Sequence, residues 1–231
     1  MESLAPAYPA TLEVDRAERI ANWRPIVQWL LAIPHFIILY VLGIVAEVVS
    51  VISWFVILFT GKLPEGLATL MCLYVRYSNR TTAYAGFLRE EYPPFAFETV
   101  APDPGTYPPV RTGFVPELEN RNRLTVAFRI ILVIPQLIVL WVLGTVAFVA
   151  FVIAFFAVLF TGRWPDGLRT FVVGVMRWGT RVSAYLYLLT DEYPPFSLDR
   201  SGEPAGGRVV DPATPMVEGP PRDQPAGGTI T

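Results

Sequence analysis

Two long runs of apolar residues dominate the chain. Between Ile26 and Phe59 the only acidic, basic or imidazole side chains are Glu47 and His35, and between Ile130 and Phe160 there are none. Apolar runs longer than roughly 18 residues are typical of membrane-spanning helices. The rest of a 231-residue chain is too short to bury both runs in a soluble fold. The pattern therefore predicts an integral membrane protein.

The apolar runs belong to an internal repeat. Residues 22–97 align with residues 123–198 without a gap, and 32 of the 76 pairs are identical. Both copies end in nearly the same hexapeptide, EEYPPF at 90–95 and DEYPPF at 191–196. We therefore expect five parts: a polar segment (1–21), the first membrane repeat (22–97), a Pro- and Gly-rich linker (98–122), the second repeat (123–198) and a tail (199–231). The tail has too few apolar residues to fold, which predicts disorder.

Each repeat is predicted to be all-α, with an interfacial helix, a long transmembrane helix, a tight turn and a second helix that carries arginines. Prolines near the start of the long helix predict an elbow. Glycine in a left-handed position can end that helix, and a proline can begin the next one. The double prolines of the hexapeptide are expected to stop the second helix, with a tyrosine at the membrane boundary. These structural positions are Pro34, Gly61, Pro64, Tyr92, Pro93 and Pro94, and in the second copy Pro135, Gly162, Pro165, Tyr193, Pro194 and Pro195.

The second helix of each repeat allows two placements. It carries two arginines one turn apart and a tyrosine on the same stripe, so it could lie in the interface or cross the bilayer. Crossing would leave most basic residues in the tails and the linker, as the positive-inside rule requires. We therefore expect four spans, parallel repeats and two cytoplasmic termini. The residues of the stripe are Arg76, Arg80 and Tyr84, repeated as Arg177, Arg181 and Tyr185.

Glu47 is the main candidate for chemistry inside the membrane. It lies halfway along the first apolar run, where the second copy has Phe148. A lone carboxylate in lipid should be protonated or paired, and Arg76 or Arg80 is the expected partner. Such a pair would close the first helical hairpin, or would move a proton, an ion or an anionic substrate. A third interpretation places a water-filled cavity or a partner protein around Glu47.

The remaining polar residues admit more than one interpretation. The four stripe arginines could converge on one axis and bind a phosphate, a carboxylate or a lipid headgroup, or they could bond helix carbonyls. Glu90 and Glu91 follow a helix C-terminus, which disfavours anions, so a basic partner such as Arg121 or Arg123 is expected.

Composition excludes several kinds of protein. A formal net charge of −2 without a basic block gives no reason to expect nucleic acid as a partner. One cysteine and one histidine allow neither an internal disulfide nor a typical metal site. No nucleophile with a neighbouring base is visible, so we expect no catalytic residues, no metal and no cofactor.

Four segments together resemble a known family. They are LAIPH (31–35), LFTGRWPDGL (159–168), MRWGTRVSAY (176–185) and LLTDEYPPFSL (188–198). In combination they are similar to the bacterial domain-of-unknown-function family numbered four-three-eight-nine, with Gln136 in place of the family's histidine in the second copy. The resemblance implies a small bacterial membrane protein and brings no known activity.

Three classes of function follow. A non-enzymatic scaffold or accessory subunit of a membrane complex is expected first, because the helices are mostly apolar. A small transporter or channel for an anion, a proton or a lipid is the second class, based on the repeat and the intramembrane charges. A lipid-modifying membrane enzyme comes last. The expected location is the bacterial cytoplasmic membrane, and the expected partners are the lipid bilayer and a membrane protein or a second copy of the chain.

Overall fold

The computed structural model describes residues 8–199, so the start of the polar segment and the tail from residue 200 lie outside the described residues. The first repeat contains helices α1 (Arg24–Leu31), α2 (Ile33–Thr60) and α3 (Glu65–Ala85). The second contains α4 (Arg123–Thr161) and α5 (Asp166–Leu186). Two strands, β1 (Ala10–Val14) and β2 (Val110–Phe114), precede the first and second repeats. The chain is therefore mostly helical.

The prediction of an all-α fold is wrong, because β1 and β2 pair as a small antiparallel sheet. Leu12 lies opposite Thr112 at its centre. Residues at alternate positions of both strands are buried, as expected for a sheet with one covered face. Each strand has only three inward residues. In the sequence these strands lie within the polar segment (1–21) and the Pro- and Gly-rich linker (98–122). The sheet is made by partners about 100 residues apart, which local pattern does not reveal.

The turns between paired helices agree with the sequence. Gly61 and Gly162 end α2 and α4 in the left-handed conformation, with φ of 72° and 67°. Their amides donate to the carbonyls of Ile57 and Val158, 2.7 Å and 2.8 Å away. The prolines that follow, Pro64 and Pro165, are extended N-cap residues rather than members of the first helical turn. An acidic residue follows each, at the helix end that favours negative charge.

The predicted elbows are present in only one repeat. In the first, α1 ends before Ala32 and Pro34 lies in the first turn of α2. In the second, Pro135 lies inside α4, which runs unbroken for 39 residues. A proline removes one helical hydrogen bond. Here side chains on both sides of Pro135 hold α4 to the rest of the repeat, Arg129 to the carbonyl of Tyr185 and Gln136 to Trp178.

The double prolines do not stop the second helices, contrary to the prediction. α3 ends at Ala85 and α5 at Leu186, before either hexapeptide begins. Phe87 and Leu188 then take positive φ values of 60° and 63°. The next amides donate back to the carbonyls of Ala83 and Ala184, at 3.0 Å and 2.9 Å. This is the Schellman pattern of helix ends, built without glycine.

A pseudo-twofold axis relates the two repeats. The equivalent residues Asn79 and Thr180 touch, since the Asn79 amide donates to the Thr180 hydroxyl at 3.0 Å. β2 packs on α3, and β1 packs on α5. The centre of the sheet and the contact between α3 and α5 therefore lie on one axis. The helices α3 and α5 form a middle layer, with the sheet on one side and α2 and α4 on the other.

The repeats run antiparallel, whereas the sequence led us to expect parallel repeats. The Trp54 indole near the end of α2 donates to the carbonyl of Val126 near the start of α4, at 2.9 Å. The Ile20 amide, before the first repeat, donates to the Gly162 carbonyl at 2.9 Å. The equivalent bond joins the Arg121 amide to the Gly61 carbonyl at 3.1 Å. The end of each long helix thus meets the beginning of the other repeat.

Two helical segments are long and apolar enough to cross a membrane, against the four that we expected. They are residues 24–60 and 123–161. Within residues 8–199, α3 and α5 do not meet this criterion of length and composition. Their arginines lower their hydropathy, and most of their surface is buried inside the protein.

Two turn glycines offer a matched stability test. A Cβ at Gly162 would come within 2.9 Å of the Ile20 carbonyl, whereas one at Gly61 would meet only the Arg123 side chain at 3.4 Å. Gly61→Ala is expected to cost about 1–2 kcal/mol, the penalty for a left-handed alanine. Gly162→Ala should cost more, because a backbone group must also move. Denaturant unfolding of both variants in detergent checks this, and equal losses would contradict it.

Candidate functional site

Arg76 donates hydrogen bonds to carbonyl groups of both the sheet and the linker. It is 1% exposed, and its Nε donates to the Thr112 carbonyl at 3.2 Å, in the centre of the sheet. Its terminal nitrogens donate to four further carbonyls, those of Glu98, Val100, Ala101 and Pro102, at 2.9–3.3 Å. One guanidinium therefore fixes the first part of the linker against α3.

The other stripe arginines act in similar ways. Arg177 donates from Nε to the Leu12 carbonyl at 3.2 Å, so it and Arg76 hold the two opposite central residues of the sheet. Arg80 donates to the Thr106 hydroxyl at 3.0 Å. Arg181, fully buried, donates to the carbonyls of Ser197 and Asp199. These arginines bind carbonyl and hydroxyl groups of the chain's own sheet and loops.

Glu47 does not pair with Arg76 or Arg80, so that prediction is wrong. Those arginines reach toward the sheet, whereas Glu47 lies on the exposed side of α2. It borders a groove of about 590 Å³ between α2, the start of α4 and the end of α5. The lining also includes Arg129, and the rest of it is largely apolar, with Trp54 and Leu186 among its residues. Glu47 therefore faces this groove and not the arginines of α3.

The second copy has an equivalent groove, of about 630 Å³. Phe148 replaces Glu47, and Phe151 replaces Ser50. The duplicated fold therefore builds two related grooves, of which one is almost entirely apolar and the other carries a carboxylate.

The hexapeptide acid of the second repeat is held by two buried arginines. Asp191 receives hydrogen bonds from Arg121 at 2.6 Å and from Arg129, and also from the Asn122 amide at 2.8 Å. Burial acts to raise the pKa of Asp191, but these bonds and the two positive charges hold it below its ordinary value. Arg121, an expected partner of Glu90 or Glu91, thus pairs with Asp191, the residue equivalent to Glu90 in the second repeat. In the first repeat Glu90 instead accepts from the Ala21 amide, and Glu91 pairs with Arg89.

Tyr84 and Tyr185 serve as anchor points for the start of each repeat. The Gln28 amide donates to the Tyr84 carbonyl at 2.7 Å, and Arg129, at the equivalent position, donates to the Tyr185 carbonyl at 2.6 Å. The rings contact the hexapeptide tyrosines Tyr92 and Tyr193 edge-on, with centroids 5.4 Å and 5.6 Å apart. The sequence pattern makes these tyrosines candidate site residues, and their contacts are structural.

His35 and Gln136 occupy equivalent positions and bind different aromatic residues in the two copies. His35 Nδ1 shares a hydrogen bond with the Tyr77 hydroxyl at 2.6 Å, and its ring stacks on Phe95. Gln136 instead accepts from the Trp178 indole at 2.7 Å. Each polar residue is therefore matched to the aromatic residue on the neighbouring helix. Within residues 8–199 no group of three His, Cys, Asp or Glu side chains could hold a metal ion.

Sequence reasoning missed three polar residues of this buried network: Gln28, Arg129 and Gln136. A signal was present. Positions 28 and 35 are seven residues apart, as are 129 and 136, and this spacing favours one helical face at the start of an apolar run. That face is turned toward α3 in the first repeat and toward α5 in the second.

The geometry defines a class of protein: a duplicated helical-hairpin fold with two long apolar helices and a buried arginine layer. The family model "Domain of unknown function (DUF4389)" matches residues 22–96 and 123–197. The chain belongs to this family and carries it as two tandem copies. Neither the curated proteins nor the solved structures contain a match to the chain.

Replacing Asp191 should be costly. Arg121, Arg129 and Asp191 side chains are 0%, 2% and 15% exposed, so Asp191→Asn leaves two buried guanidinium groups without their anion. We expect a loss of about 3–5 kcal/mol in the free energy of unfolding at neutral pH. Because the folded pKa is lowered, this stabilisation is complete above the unfolded value of about 3.9 and disappears as the pH falls through the folded pKa.

The control for Asp191 is Glu119→Gln. Glu119 pairs with Lys62 at 3.0 Å, and both side chains are about two thirds exposed. An exposed pair contributes about 1 kcal/mol or less. Chemical unfolding in detergent at several pH values measures both variants. Similar losses for the two, or a loss for Asp191→Asn that grows in acid, would contradict the assignment.

Glu47→Phe gives the first repeat the residue of the second. Since Glu47 faces an open groove, we expect the free energy of unfolding to change by only about 0.5 kcal/mol. Arg76→Gln, which removes the bonds to five carbonyls, should cost at least about 3 kcal/mol in the same assay. A loss for Glu47→Phe as large as that for Arg76→Gln would contradict the exposed placement of Glu47 and support its predicted ion pair with an arginine.

Proposed function

We propose that the chain is a non-enzymatic scaffold or accessory subunit of a complex in the bacterial cytoplasmic membrane. The observation that carries the proposal is the use of the arginines. Arg76, Arg177 and Arg181 bind carbonyls of the chain's own sheet and loops. They stabilise one rigid shape, and that shape presents a broad apolar surface outward.

The apolar surface is the feature that a partner would meet. Tyr40 and Trp141, at equivalent positions, are 72% and 75% exposed, and Phe59 and Phe160 are 78% and 76% exposed. Exposed apolar patches of this extent mark contacts with membranes or proteins. Burying such surface contributes about 25 cal/mol per Å². The surface supports contact with lipid and with the helices of another membrane protein.

A lipid-binding role is a second candidate, supported by the groove at Glu47. A largely apolar groove of about 590 Å³ that is also bordered by Glu47 and Arg129 suits an acyl chain attached to a polar headgroup. Transport through the four arginines loses support, because these arginines are engaged in the fold. Nothing in residues 8–199 adds support for a lipid-modifying enzyme.

Extraction of the tagged full chain from its native membranes into lipid nanodiscs tests the scaffold proposal. We expect one other membrane protein to co-purify at a fixed molar ratio that survives a high-salt wash. The double variant Tyr40→Ala with Trp141→Ala should lower that ratio, since exposed aromatic residues dominate the binding energy of interfaces. An unrelated two-helix membrane protein serves as the control. Recovery of the chain alone would overturn the proposal.

A further inference from the structure

We infer that the chain does not cross the membrane but lies flat in one leaflet of a phospholipid bilayer. The helices α1, α2 and α4 would be immersed parallel to the membrane plane, and the sheet would face water. This inference rests on the proposed membrane location and specifies how that location is achieved. Three independent features support it.

The first feature is the depth of the sheet. Because α2 and α4 are antiparallel and related by the pseudo-twofold axis, a crossing arrangement would put that axis in the midplane of the bilayer. The sheet lies on the axis, so Arg111 and its partners Glu13 and Asp15 would lie at the same depth. Their side chains are 28–46% exposed at the protein surface. Charged groups are strongly disfavoured at the bilayer centre.

The second feature is helix length. The part of α4 without charged residues, 130–160, has 31 residues and extends about 46 Å at 1.5 Å per residue. A hydrocarbon core is about 30 Å thick, so a straight helix of this length would have to tilt by roughly 50°. Observed tilts are about 0–40°. A helix in the membrane plane has no such mismatch.

The third feature is the separation of apolar and polar surfaces. Among the described residues, the large exposed apolar side chains come mainly from residues 23–59 and 124–160, and α3 and α5 contribute none. On α2, the exposed Val41 and Val45 lie about 110° around the helix from the exposed Tyr40 and Val51, at 100° per residue. The exposed apolar surface is therefore a broad arc, and lipid covers its whole width.

The charges at the ends of the helices fit the headgroups of the same leaflet. Lys62 and Arg163 occupy the turns at opposite ends of the antiparallel pair, and both are exposed. The Trp23 ring, beside Arg24, is 55% exposed, at a position suited to the interface. Basic residues at both ends would contact anionic headgroups if both ends lie at the same depth.

Depth measurements on the full chain test the inference. Single cysteines at Tyr40, Phe59, Trp141 and Phe160, in a Cys72→Ala background, carry a fluorophore in vesicles of phosphatidylethanolamine and phosphatidylglycerol. Brominated lipids quench the fluorophore according to its depth. Positions 40 and 59 are separated by about 29 Å along the helix, as are 141 and 160. In a flat helix the two depths differ by less than about 10 Å, the width of the helix. A difference above about 20 Å in each pair, with positions 59 and 160 in opposite leaflets, would overturn the inference.

Labelling with an impermeant maleimide gives a second readout. Cysteines at Lys62, Arg163 and Pro108, which lies just before β2, should react together in intact cells or together in inverted vesicles. If Lys62 and Arg163 react from opposite sides and Pro108 is protected, the helices cross the bilayer.

Flotation with vesicles separates the proposed membrane location from the proposed flat placement. A chain that fails to float overturns the membrane location, whereas a chain that floats with crossing helices overturns only the flat placement.

Discussion

The hydrogen bonds from Arg76 and Arg177 to the two central residues of the sheet are the contacts on which the rest of the structure depends. A two-stranded sheet is marginal alone, and a buried guanidinium costs several kcal/mol unless its donors are satisfied. Here the strand carbonyls satisfy the buried guanidinium donors, and the same hydrogen bonds hold the small sheet in place. With the sheet fixed on one side, α3 and α5 become the central layer of the molecule.

The long helices need only cover the other side of that layer. The middle of each buried stripe is formed by short side chains, Ala46, Val49 and Ser53 in α2 and Ala147, Ala150 and Ala154 in α4. Small side chains let helices approach closely, so a narrow stripe suffices for packing. The remaining circumference is free to be apolar, which is why these helices have the composition of membrane spans while belonging to a compact duplicated fold.

The sequence predicts what depends on local pattern. The repeat, the long apolar helices and the glycine turns at Gly61 and Gly162 are confirmed, because periodicity and conformational preference decide them. The sheet and the partners of Arg76 were not predictable, since they join segments that are far apart in the chain. The orientation of the repeats was also missed, because two similar units can be related by either direction of a twofold axis. An ion pair for Glu47 follows from the pattern only if its surroundings are closed, and the groove shows that they are open.

Each repeat completes the other by exchanging its leading strand. β1 precedes the first repeat but packs on α5, and the Tyr8 hydroxyl donates to the Glu192 carbonyl at 3.1 Å. β2 precedes the second repeat but packs on α3, and Tyr107 donates to the Glu91 carbonyl at 2.6 Å. A gene encoding a single copy with its own strand would therefore yield a product that satisfies its arginines only as a domain-swapped homodimer. Fusion of two such copies would make that pairing intramolecular, independent of protein concentration, and would let the two halves diverge into the unequal grooves seen here.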